Sequence, residues 1–145
     1  MQLDELYRQV IMDHYQHPRN QGELTEKTVS VDLRNPSCGD EITLQLEVAD
    51  GRVQDVRFRG SGCSISMASA SMMTEAIKGQ DVPEALSLAK VFRSMIRGEA
   101  VDTEVLGDLE SLQGVSRFPA RVKCALLAWQ ALEKAVSGHT DHQPE

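Results

Sequence analysis

Cys38, Cys63 and Cys124 are the only cysteines in this 145-residue chain, and Asp40 stands two residues beyond the first of them. Three thiols and one carboxylate could close a single tetrahedral site around a divalent metal such as zinc. Three cysteines cannot all pair within one chain, so a disulfide framework is the poorer account. The spacing lacks the close paired cysteines of a zinc ribbon. The weight on Asp40 comes from closure, because three sulfurs leave one position to fill. The competing account makes the cysteines small buried apolar residues, above all Cys124 beside an apolar stripe, and makes Asp40 an ordinary solvated turn carboxylate.

The local sequences suit the metal reading. Pro36-Ser37-Cys38-Gly39-Asp40 and Gly60-Ser61-Gly62-Cys63-Ser64 place donors in Gly-rich connections where backbone turns tightly. Cys63 falls at the start of a helical pattern, where unpaired N–H groups and the helix dipole favour a thiolate. Arg117 and Arg121 would share a face with Cys124 if the last helix begins that early, setting positive charge beside a thiolate-rich site. His14 and His17, three apart near the end of the first helix, could offer a second ligand pair, but the plainer reading is surface histidines at a helix C-terminus, and His139 and His142 read as parts of a polar tail. Gly60-Ser61-Gly62 matches a phosphate loop only weakly, lacking its other Gly and Lys positions.

Positioning these groups falls to an α+β set of elements. Leu3, Leu6, Tyr7, Val10 and Ile11 predict an amphipathic helix that stops at His17-Pro18. Alternation at Val29, Val31 and Leu33, and again at Ile42, Leu44, Leu46 and Val48, predicts two strands with Cys38 and Asp40 in the loop between them. Asp50-Gly51 predicts a hairpin into a third strand, whose phase change between Val53 and Val56 calls for a bulge or a late start. A helix follows from Ser64 to about Lys78, another from Asp81-Val82-Pro83 to Gly98, then loop and short helix over Val101 to Leu112. The final helix is predicted from Pro119 to Val136, with Val122, Ala125, Leu126, Trp129, Leu132 and Val136 facing the core. Together these predict a three-stranded antiparallel sheet packed against about five helices, as one domain over 1–137 with a flexible polar tail over 138–145.

A formal net charge of −7 argues against a nucleic-acid surface. No run approaches the roughly 20 apolar residues that span a membrane, and no leader pattern opens the chain, so the expectation is a cytoplasmic protein.

Four segments carry a resemblance: YRQVIMDHY from Tyr7 to Tyr15, NPSCGD from Asn35 to Asp40, GCSISMASASMM from Gly62 to Met73, and GVSRFPARVKC from Gly114 to Cys124. They resemble the SufU-type branch of the IscU-like iron–sulfur assembly proteins, over nearly the whole chain to Val136. The resemblance implies zinc held by Cys38, Asp40, Cys63 and Cys124, with Cys38 accepting sulfur and Arg121 steering or stabilising the anionic persulfide. It implies a sulfurtransferase whose donor is a pyridoxal-phosphate cysteine desulfurase of the SufS type, a partner histidine replacing Cys38 on zinc, and delivery to a downstream iron–sulfur scaffold complex. The long Gly79 to Gly114 stretch fits the insertion of that branch. The scaffold branch carries histidine before its third cysteine, where this chain has Lys123; a protonated lysine offers no lone pair, which favours sulfur transfer over cluster assembly.

Overall fold

A computed structural model describes residues 2–26, 29–35 and 39–141, with backbone alone for 2–5 and 138–141. The order is helix α1 (Gln2–Gln16), strands β1 (Val29–Asn35), β2 (Asp40–Ala49) and β3 (Arg52–Ser61), helices α2 (Ser64–Ile77) and α3 (Val82–Ile96), a 3-10 segment (Thr103–Arg117) and helix α4 (Pro119–Asp141). The sheet is antiparallel in the order β1-β2-β3, with the five helical elements packed around it, as the sequence predicts.

The β2–β3 hairpin turns at Asp50 (φ 57°) and Gly51 (φ 74°), the left-handed pair that a two-residue hairpin needs. Val48 pairs with Val53 and Glu47 with Asp55, leaving Gln54 unmatched, so the phase change in the sequence is a bulge. Beyond it Val56 and Phe58 face inward opposite Leu46 and Leu44, and with Ile42 and Val31 they form the buried face of the sheet. Helices α2 and α4 cover that face.

Helix α2 is the central element, buried without a break from Ser66 to Thr74. Its Ser and Ala side chains let neighbouring backbones approach, and the few hydroxyls inside find partners. Ser69 Oγ donates to the carbonyl of Ala125 at 2.7 Å and accepts from Trp129 Nε1 at 3.1 Å. Trp129 also stacks on Phe92 of α3, ring centroids 4.8 Å apart. This one indole therefore ties α2, α3 and α4 together.

Two elements differ from expectation. The stretch predicted as loop and short helix is a 3-10 segment running on to Arg117 and bent at Gly107. Leu106, Leu109, Leu112 and Val115 are buried at every third position, the period that aligns side chains along three residues per turn. Helix α4 continues to Asp141, and all of Cys124 to Trp129 is buried, because sheet, α2, α3 and the 3-10 segment surround it. Among the described residues, no helix is long and apolar enough to cross a membrane.

Candidate metal centre

Asp40 is the first residue of β2, paired with Asn35, and not part of the loop that the alternation predicts between the strands. Its phase matches Ile42, Leu44 and Leu46, so the pleat turns its side chain to the core face, where it is 2% exposed. Glycine at position 62 makes room for it. A Cβ built there would lie 2.7 Å from Asp40 Oδ1 and 2.8 Å from its Cγ. At Gly60, one residue pair further along, a Cβ would lie 2.2 Å from the Glu41 carbonyl oxygen, which fixes the tight β2–β3 approach.

Cys63 is the N-cap of α2, as its place in the sequence suggested, but its own side chain caps nothing. Asp40 takes over that task from the neighbouring sheet. Its Oδ1 accepts the N–H of Cys63 at 3.1 Å, and its Oδ2 accepts from the hydroxyl of Ser66, the third residue of the helix. A carboxylate at a helix N-terminus meets the positive end of the dipole as well as a donor that would otherwise be orphaned. Ser66 Oγ also lies 3.7 Å from Cys63 Sγ. Sequence reasoning passed over Ser66, although its position three after Cys63 puts both on one helix face.

Cys124, in the first turns of α4, completes the group from the other side, buried and within 3.9 Å of the Ala120 carbonyl. Donor atoms of Asp40, Cys63 and Cys124 all lie within 4.8 Å of one another, and Cys63 Sγ is 3.7 Å from Asp40 Oδ2. Bonds of about 2.3 Å to sulfur and about 2.1 Å to oxygen put neighbouring ligands of a tetrahedral zinc roughly 3.6 Å apart. Two thiols and a buried carboxylate at this spacing therefore fit such a metal. Cys38, the fourth candidate, lies outside the described residues.

Arg121 is the cation of the site. Attraction to the Cys63 sulfur in its ionised form, then hydrogen bonding and attraction to that of Cys124, hold its guanidinium above its ordinary pKa. Arg117 does not share its helical face, because the 3-10 segment ends there and Phe118 (φ −126°, ψ 87°) breaks the path before α4. Its side chain instead lines a cavity together with that of Arg121.

The histidines divide. His17 is exposed, as expected. His14 is fully buried, contrary to its reading as a surface residue. Its Nδ1 lies 2.8 Å from Ser71 Oγ on α2 and its Nε2 3.1 Å from Asp108 Oδ2 on the 3-10 segment, with Glu75 Oε1 at 3.9 Å. The imidazole clamps α1 to two other elements. Of the tail, His142 lies outside the described residues.

Comparison with known proteins agrees with this geometry. The sequence profile of the NifU-like N-terminal domain matches residues 6–144. The chain is 59% identical over 136 residues to the zinc-dependent sulfurtransferase SufU of Bacillus subtilis (strain 168), covering 93% of this chain and 92% of that protein. It is 42% identical over 142 residues to the iron-sulfur cluster assembly scaffold protein IscU of Streptococcus pyogenes serotype M1, covering 97% and 89%. A crystal structure of a SUF-system protein from the thermophile Fervidobacterium islandicum AW-1 superposes with a TM-score of 0.84 at 38% identity, covering 88% of this chain and 93% of that one.

Proposed function

The chain belongs to the NifU-like N-terminal domain family, and from that premise we propose that it is a zinc-dependent sulfurtransferase serving iron–sulfur cluster assembly. Its donor on this reading is the persulfide of a SufS-type cysteine desulfurase, and it hands the sulfur to a downstream scaffold complex. The observation that carries it is the convergence of Asp40, Cys63 and Cys124 beside Arg121, in a chain 59% identical to a sulfurtransferase.

Asp40, Cys63 and Cys124, with Cys38, are the residues that would hold zinc. Bound zinc supplies positive charge that keeps the sulfurs ionised at neutral pH and shields them from oxidation. The residues themselves divide the remaining work. Asp40, fixed by the Cys63 N–H and the Ser66 hydroxyl, anchors the start of β2 and so the segment carrying Cys38. Cys38 as thiolate attacks the outer sulfur of the partner's persulfide. A new S–S bond forms on Cys38, the old one breaks, and the partner's cysteine leaves as thiolate. On this reading Arg121, the cation beside the Cys63 and Cys124 sulfurs, offsets the negative charge of the resulting persulfide.

The name of the streptococcal relative favours a second reading, a scaffold for a labile cluster. Lys123 in place of histidine supports the first, since it removes one imidazole donor beside Cys124. Cysteine turnover by a SufS-type desulfurase distinguishes them. The expected result is stimulation by the zinc-loaded chain and none by its Cys38→Ala variant. Equal stimulation by both would reject Cys38 as the acceptor.

A further inference from the structure

Beside the thiols opens a cavity of about 880 Å³, walled by α1, the start of α2, the end of the 3-10 segment and the start of α4. Arg8, Arg117 and Arg121 line it, and no described carboxylate does, although the chain as a whole carries a net charge of −7. Ile65 and Val115 contribute apolar surface, and Phe118 stands at it 58% exposed. Such a volume, with convergent cations over an apolar lining, suits a small organic anion.

Arg121 connects this cavity to the sulfur chemistry, since the guanidinium that lines it also meets the Cys63 and Cys124 thiols. Ser64 and Ile65, the two residues after Cys63, form the wall on that side, so the positive end of the α2 dipole faces the same space. An anion held here shares Arg121 with the Cys63 and Cys124 thiols. Sulfane sulfur is taken up by soft nucleophiles, of which the thiolate is the common biological one.

We propose that the cavity binds a small thiol bearing a carboxylate, of the cysteine type, and that this thiol is a soluble acceptor for the relayed sulfur. The transfer step rests on the persulfide proposed for Cys38. The bound thiolate attacks the outer sulfur, the Cys38 S–S bond breaks, and Cys38 departs as thiolate. The Cys38 persulfide takes up one proton from water before the attack, and that proton leaves with the transferred sulfur on the small molecule's persulfide. One S–S bond is exchanged for another, so no oxidant or reductant is consumed. The arginines select for the carboxylate, and the apolar lining for a short aliphatic body.

The test has two arms on the zinc-loaded chain. In the first, S-methylcysteine, which cannot accept sulfur, is titrated into wild type and into the Arg8→Glu/Arg117→Glu double variant, with circular dichroism confirming that both are folded. Saturable binding that weakens at least about tenfold in the variant is expected. No binding, or equal binding by both, overturns the proposal. In the second arm, chain loaded by a desulfurase is offered cysteine or cysteamine at equal thiolate concentration. Faster transfer to cysteine in wild type, with the preference lost in the variant, is expected, and equal rates to both thiols overturn the acceptor role. If the variant binds the desulfurase poorly while S-methylcysteine binds neither protein, the cavity serves the partner protein and the proposal fails. If Cys38 takes no sulfur while the analogue still binds, the relay reading falls and the ligand assignment stands.

Discussion

The carboxylate of Asp40 accepts the backbone N–H of Cys63 at 3.1 Å, so a residue of the sheet caps the helix that presents the thiol. The metal centre and the β2–α2 junction are therefore one object, and binding should be felt as folding. Zinc is expected to raise the melting temperature of wild type. In Asp40→Ala the affinity should fall about tenfold or more and the zinc-induced rise should shrink. Competition with a chromophoric chelator and thermal melts, each with and without zinc, measure both. An undiminished rise in the variant would remove Asp40 from the ligand set.

Gly62 gives a second test that leaves every ligand in place. A methyl group at this position would overlap the Asp40 carboxylate, and relieving the overlap pushes Oδ1 away from Cys63. Gly62→Ala should cost about 1–3 kcal/mol of stability, as overpacking does, and weaken zinc as well. Gly51→Ala, which has open space for its Cβ, should lose stability without changing zinc affinity. Equal zinc affinity in Gly62→Ala and wild type would refute the close packing.

His14 acts far from the thiols. Deleting a fully buried imidazole leaves a void and removes one of the two partners of the Ser71 hydroxyl, the other being the Arg19 N–H, so His14→Ala should cost about 2–4 kcal/mol and lower the Tm by roughly 5–12 °C. Hydrogen exchange should quicken first in α1. A change below 1 °C would mean that the clamp contributes nothing.

Acid stability has a traceable contributor in Asp55, beside the β3 bulge. Burial pushes its carboxyl up, but the Val56 N–H, Lys78 and Arg57 outweigh burial and hold it below its ordinary value of 3.8. A carboxyl depressed in the folded state contributes stability above its unfolded pKa and loses it as pH falls through the folded one. Asp55→Asn should therefore melt below wild type at neutral pH, by about 1 kcal/mol in stability. The gap should narrow as pH drops below 3.8. Melts across that window check this, and a gap independent of pH would contradict it.

What the sequence disclosed followed from strong local periods. Alternation in β2 and the misfit at Gln54 were readable because a pleated strand has a rigid period of two, and Cys63 fell at a helix start marked by glycines on one side and small apolar residues on the other. Asp40 continues the β2 alternation, yet its charge disguised it as loop; only the register with β3 reveals the space over Gly62. The period of three at Leu106, Leu109, Leu112 and Val115 was present but belongs to a rarer helix. Nothing local marked His14 as buried, because its partners Ser71 and Asp108 lie 57 and 94 residues away. Likewise Arg8 joins Arg117 and Arg121 only through the packing of α1.

Intact mass spectrometry of the zinc-loaded chain, after incubation with a SufS-type desulfurase and cysteine, tests the central claim most directly. A single added sulfur on wild type, absent from Cys38→Ala and removed by a thiol reductant, is the predicted result. An unmodified wild-type chain that instead gathers iron and sulfide into a transferable cluster would contradict the sulfurtransferase account and leave the scaffold reading in its place.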